Sequence, residues 1–289
     1  MSSTDHAEQI RGLGREILPA IAGSQAVYAA EQETEPYAGV AVSRGVAYGP
    51  HERHRLDAFT AEAGDAPRPV FVFVHGGGFV QGGLRQPGSP YNDNVALWAV
   101  RNGMVGINVT YRLAPEFTFP AGSEDLAASL AWVREHAVEL GGDPDRIFVM
   151  GTSAGAVHVA NFIAHDRFAA GRQGVAGAIY LSGVYDLTSA GPDMMAKVYY
   201  GEDASLYPRM SPLPGMLASP VPQLLVVTEF DPLPFQLQAL TAINAWVDRH
   251  GEWPDFLRLM GHNHLTSTFH LNTADDYLGR QMLTFMRRA

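Results

Sequence analysis

Residues 146–165 read RIFVMGTSAGAVHVANFIAH, and the fold turns on how that stretch is parsed. Ile147 to Met150 is a short apolar run, Gly151-Thr152-Ser153-Ala154-Gly155 follows at once, and Ala154 to His165 favours a helix. A serine held between a buried strand and a helix, with glycine two places to either side, describes a nucleophile elbow. The turn is so tight that a side chain at 151 or 155 would collide with its neighbours. Ser153 is left strained, its hydroxyl exposed and the helix N-terminus behind it. With 30 glycines in 289 residues, the pentapeptide alone also fits an ordinary glycine-rich turn, so the flanking strand and helix carry the reading.

Working outward, strand and helix alternate. Upstream, Val70 to Val74 (VFVFV) reads as a strand buried on both faces, as in a parallel sheet. It runs into His75-Gly76-Gly77-Gly78-Phe79, where backbone N–H groups free of side chains can form a donor nest for a ligand oxygen, with His75 bonding the loop. Ala63 to Pro69 reads as a surface loop, Asn94 to Asn102 as a helix and Met104 to Tyr111 as a strand. Ser123 to Leu140 reads as a long helix opened by Ser123, with Glu124 and Asp125 as capping acids in its first turn. Downstream come strands at Val175 to Ser182, Leu224 to Thr228 and Phe256 to Met260, and helices at Pro234 to Arg249 and Tyr277 to Met286. Nearer the N-terminus, Val40 to Tyr48 and Arg53 to Phe59 read as two strands joined by a turn, with His51 and His54 as surface polar residues. Residues 5–22 read as one peripheral helix with Ile10, Leu13, Ile17, Leu18 and Ile21 as its apolar stripe. The expectation is an α/β fold with a mostly parallel sheet of about eight strands flanked by helices. It forms a single domain over 1–289, with a cap segment at 1–40.

Residues 187–220 break the alternation and are rich in Pro, Met, Tyr and Gly, which predicts an insertion over the site. Met195 and Tyr199 within it are candidate substrate-binding residues, together with Phe79 beside the glycine loop and Phe235 after the Asp231 turn.

Composition narrows the function classes. Twenty basic residues against 30 acidic ones give a formal charge of −10, which disfavours nucleic acid and anionic membrane as partners. The absence of cysteine excludes disulfides, thiolate metal sites and a cysteine nucleophile. No metal or organic cofactor is implied. The charged N-terminal stretch does not read as a signal peptide, and no long apolar run spans a membrane, so a cytoplasmic location is expected. A small-molecule partner is expected, with a homodimer as the candidate assembly.

A serine hydroxyl needs a base within reach, normally an imidazole oriented by a carboxylate. In sheets of this kind the three groups follow strands in the order Ser, acid, His. Ser153, Asp231 and His264 occur in that order, each after its own strand. Glu229 competes with Asp231, which is preferred because Pro232 fixes the turn that aims it. His262 competes with His264, and the residues alone leave the two close.

His75-Gly76-Gly77-Gly78-Phe79, Tyr111-Arg112-Leu113-Ala114-Pro115-Glu116, Gly151-Thr152-Ser153-Ala154-Gly155 and Asp231-Pro232-Leu233 together resemble the hormone-sensitive-lipase-like branch of the α/β-hydrolases. Tyr48-Gly49-Pro50 through Asp57 and the ending His262-Asn263-His264-Leu265 are more similar to feruloyl-esterase-like and arylformamidase-like relatives. The resemblance implies an α/β-hydrolase fold, an oxyanion hole built from Gly77, Gly78 and the N–H of Ala154, and His264 as the base. It implies a serine carboxylesterase for short-acyl or aromatic esters. An arylformamidase-like amidase using the same triad is the alternative, and a non-catalytic binding protein is the third reading. Pro234-Phe235 departs from the arginine and second acid that often follow Asp-Pro-Leu in relatives, which puts that side of the pocket in question.

Overall fold

In a computed structural model of the chain, residues 3–62, 67–85, 88–189 and 194–289 are described. Eight strands form one sheet: β1 Val40–Ala47, β2 Arg55–Ala61, β3 Arg68–Val74, β4 Val105–Val109, β5 Gly142–Thr152, β6 Val175–Leu181, β7 Gln223–Phe230 and β8 Asp255–Asn263. Their spatial order is β1-β2-β4-β3-β5-β6-β7-β8. β1–β2 and β2–β4 pair antiparallel, and every other pair is parallel. The chain leaves β3 for β4 on one side and returns to β5 on the other. Loops after β3 and β5 therefore diverge at one edge, the place where open α/β sheets form their crevice.

Alternation along the central strands sorts the core into two layers. Val70, Val72 and Val74 of β3, with Ile147 and Val149 of β5, face one layer. Phe71, Phe73, Phe148 and Met150 face the other. The first layer is covered by α4 (Ala121–His136) and α5 (Ala154–Ala164), through Leu126, Leu130, Val159 and Phe162. The second is covered by α3 (Asp93–Arg101) and the terminal helix Tyr277–Met286, through Trp98, Leu278, Met282 and Phe285. Truncating a fully buried aromatic here, such as Phe148, would cost about 3–5 kcal/mol. Helix α5 is buried all round from Ala154 to Ile163, so it runs through the core instead of over the surface.

Several expected elements differ. The single helix at 5–22 is two, α1 Ser3–Gly12 and α2 Ile17–Tyr28, broken where Gly14 takes a φ of +77°. Ile10 and Tyr28 are buried against Phe230, whereas Leu18, one of the expected stripe, is exposed. Helix α4 begins at Ala121, so Ser123 lies inside it and donates its hydroxyl to the carbonyl of His158. Asp125 caps nothing: it is buried and accepts from the backbone N–H and Nε of Arg112. Its other partner is Nε2 of His54 at 3.0 Å, which makes His54 a buried residue and not a surface one. The loop expected at Ala63 to Pro69 falls partly on 63–66, outside the described residues, and Arg68 already belongs to β3. Residues 194–220 hold three short α-helices, Met194–Tyr200, Tyr207–Met210 and Leu213–Ala218, and a 3-10 turn at Ala204–Leu206. Among the described residues no helix is long and apolar enough to cross a membrane.

Candidate active site

Ser153 joins β5 to α5 with φ +53° and ψ −122°, a conformation that side chains rarely adopt. Both motif glycines are forced by what surrounds that turn. A Cβ at Gly151 would lie 2.3 Å from the carbonyl oxygen of Gly155, and one at Gly155 would lie 2.2 Å from that of Val74. The turn is pinned on both sides, since Ser153 N–H donates to the carbonyl of Leu181 and Ser153 C=O accepts from Val157.

The glycine loop after β3 lies beside this turn because β3 and β5 are paired, Val74 opposite Gly151. Gly77 has φ +124°, and a Cβ there would meet the carbonyl oxygen of Gln81 at 2.0 Å. His75 anchors the loop with Nδ1 2.6 Å from the Gly76 carbonyl and Nε2 2.9 Å from Thr110 Oγ1. Burial pushes this imidazole down to about 4, so it is neutral near pH 7. A carbonyl only accepts, so Nδ1 carries the proton and Nε2 accepts from the Thr110 hydroxyl. Thr110 Oγ1 in turn accepts from Arg53.

On the far side, Asp231 follows β7 and His264 follows β8. His264 Nδ1 lies 2.7 Å from Asp231 Oδ1. The other carboxylate oxygen accepts from Ser182 Oγ and from the Thr228 N–H, both at 2.6 Å. Burial alone would raise this carboxyl, but the hydrogen bonds from His264, Ser182 and Thr228 outweigh it and hold Asp231 below the ordinary aspartate value. With Nδ1 donating to a carboxylate, Nε2 of His264 is the free imidazole nitrogen. It is buried without a protein partner, and His264 lines the same cavity as Ser153. The competing residues are otherwise occupied. Glu229 accepts from the Gly261 N–H, and His262 lies 3.5 Å from Asp275.

The cavity measures about 180 Å³ and is walled by Gly77 and Ser153, His264, and Gln25, Tyr91 and Phe269. Gly78, at φ +60°, follows Gly77 in the loop, and Ala154 opens α5; neither borders the cavity itself. Phe79 and Tyr199 stack on each other at 4.6 Å between ring centroids, buried in an aromatic cluster behind the loop. They brace the wall and do not line it, because each ring is already covered by the other. The Met195 side chain lies outside the described residues. Phe235 is half-buried, its ring 4.5 Å from that of His264. Ser182 is not legible as a site residue, although it directly follows a strand and carries a φ of +51°. Gln25, Tyr91 and Phe269 give no signal because segments far apart in sequence bring them together; the Tyr91 hydroxyl bonds the Gln25 carbonyl. Among the described residues no group of three or more His, Asp or Glu side chains is arranged to hold a metal ion.

Residues 71–245 match a protein family described as the α/β hydrolase fold. Over 88 residues the chain is 51% identical to carboxylesterase NlhH of Mycobacterium tuberculosis, covering 30% of this chain and 26% of that one. Over 197 residues it is 32% identical to esterase LipQ of the same organism, covering 64% of this chain and 43% of that one. The chain thus spans between a quarter and a half of the length of these curated relatives. Among solved structures, an esterase of Pyrobaculum calidifontis superposes with a TM-score of 0.70 at 23% identity, over 100% of this chain and 94% of that one, which is a likeness of fold.

Proposed function

The chain belongs to the α/β hydrolase fold family, and from that premise we propose that it is a serine carboxylesterase acting on small esters through an acyl-enzyme intermediate. The observation that carries the reading is that Ser153, on its strained turn, and the unpartnered Nε2 of a carboxylate-oriented His264 border one small cavity. Its mycobacterial relatives, named as a carboxylesterase and an esterase, support the same chemistry.

In the proposed reaction His264 Nε2 takes the proton of Ser153 as the hydroxyl oxygen attacks the ester carbonyl carbon. Asp231 keeps Nδ1 protonated and stabilises the imidazolium that forms. The N–H groups of Gly77, Gly78 and Ala154 receive the negative charge that develops on the carbonyl oxygen. Loss of one such donor costs about 3–4 kcal/mol in the transition state. The imidazolium returns its proton to the leaving alkoxide, the alcohol departs, and the acyl group remains on Ser153 Oγ. Water, deprotonated by the same imidazole, then attacks the acyl carbon; the imidazolium returns that proton to Ser153 Oγ as the acyl–oxygen bond breaks, and the acid departs. A cavity of about 180 Å³ limits the group beside Ser153 to a short chain or a single ring.

Turnover of p-nitrophenyl acetate and butyrate, with labelling of Ser153 by a fluorophosphonate probe, tests the proposal. Hydrolysis and labelling should both vanish in Ser153→Ala. Wild-type protein that neither turns over these esters nor takes up the probe would end the reading.

A further inference from the structure

The chain carries a net charge of −10, yet Arg44, Arg53, Arg55 and Arg85 line one cavity of about 410 Å³. Two of the four are neutralised within the protein. Arg44 is held by Asp57 and Asp93, and Arg85 by Glu35. Arg53 and Arg55 are not. Arg53 spends Nε on the Tyr111 carbonyl and Nη2 on the Gly82 carbonyl and the Thr110 hydroxyl. Arg55 spends Nη1 on the carbonyls of His51 and His54. Among the described residues neither guanidinium has a carboxylate within ion-pair distance, and Arg53 Nη1 and Arg55 Nη2 make no hydrogen bond. The acids that face the cavity are Asp57, already bonded to Arg44 and the Gly45 N–H, and the exposed Glu52. A half-buried cation with neutral partners alone is a costly arrangement that an incoming anion relieves.

This cavity adjoins the one at Ser153. Gly83 borders both. The Gly82 carbonyl that holds Arg53 belongs to the wall of the Ser153 cavity. We propose that the Arg53–Arg55 pocket receives a carboxylate carried by the substrate, so that the preferred substrates are half-esters of dicarboxylic acids. Planar guanidinium groups match a carboxylate through paired hydrogen bonds, and two of them facing an otherwise unfilled space select it over a neutral acyl chain.

The inference rests on the esterase reading, and its test separates the two. The ratio of kcat/KM for mono-p-nitrophenyl glutarate to that for p-nitrophenyl butyrate should favour the charged ester about tenfold or more in wild-type protein, as expected for charge-assisted hydrogen bonds. Arg55→Gln should lower that ratio about tenfold; Arg55 bonds only to carbonyls of its own turn, so the substitution removes little else. A second measurement needs no variant: raising sodium chloride should erode the ratio on wild-type protein by screening. Calorimetric titration with glutarate gives a readout independent of turnover, with binding in wild-type and loss in Arg55→Gln. A ratio near one that ignores salt, or no heat of glutarate binding in an enzyme that hydrolyses butyrate, overturns the pocket and leaves the esterase. Arg55-dependent glutarate binding in a protein that hydrolyses neither ester would keep the pocket and remove the esterase.

Discussion

His262 and His264 stand two residues apart, each beside an aspartate, and they have been given different work. His264 bonds Asp231 at 2.7 Å and turns its second nitrogen to the cavity that holds Ser153. His262 lies 3.5 Å from Asp275, which also accepts from the Tyr28 hydroxyl, and its ring packs 4.2 Å from that of His270. What separates them is the residue between. Asn263 ends β8, and its side-chain oxygen accepts the N–H groups of Leu265 and Thr266, turning the chain back on itself. Its amide donates to Ser24 of the second N-terminal helix, which fixes the turn from outside. A histidine before this knot stays within the packed interior, and one after it swings to the cavity. A His–Asp pair is thus defined by where its free nitrogen points, not by its composition.

The contrast can be broken most severely at the cavity. Ser153→Ala and His264→Ala should each lower kcat on p-nitrophenyl butyrate by about 10⁴–10⁶-fold, with far-ultraviolet circular dichroism unchanged. Asp231→Asn should cost about 10⁴-fold by favouring the wrong imidazole tautomer. Ser182→Ala removes one hydrogen bond to the buried carboxylate and should lower kcat about tenfold to hundredfold with little change in KM. His262→Ala should leave kcat within about tenfold of wild type while lowering unfolding free energy in urea by about 1–3 kcal/mol. If His262→Ala matched His264→Ala in activity, the two pairs would have to exchange roles.

The finest distinction is in pH dependence. His270 is held down to about 3, first by burial and then by the neighbouring His262. Its folded pKa lies below the unfolded value of about 6.5, so the unfolded chain binds a proton that the folded one refuses. Its stability contribution is therefore complete above about pH 6.5 and falls away as the pH drops toward 3. Urea titrations of His270→Gln between pH 7 and pH 4 should show a slope shallower than wild type by up to about 1.4 kcal/mol per pH unit.

Much of this could be read from residues alone. VFVFV and IFVM announce central strands because both faces are covered, and the elbow glycines are legible because backbone oxygens occupy the space a Cβ needs. Other features belong to tertiary pairing. Asp125 looks like a capping acid beside Ser123, but it is claimed by Arg112 and His54 from distant segments. Leu18 fits a helical stripe that the break at Gly14 rotates out of register. Phe79 and Tyr199 look like pocket residues from their positions near the loop and the insertion, yet they cover each other. Ser182 gives no warning, since a serine just past a strand acquires meaning only from the carboxylate that folds against it.

The turn that carries Asp231 is held from behind by the N-terminal segment through its backbone. Arg15 donates to the carbonyls of Glu229 and Asp231, across 214 and 216 positions of sequence. Asn263 reaches Ser24 across 239. The apparatus is therefore stitched from segments more than 200 positions apart, and a nascent chain that stops short of His264 does not contain it. Contacts of such long range form late, after loop closure has been overcome. On the esterase reading, a nascent chain should stay inert toward esters until β8 has docked and carried His264 to the cavity.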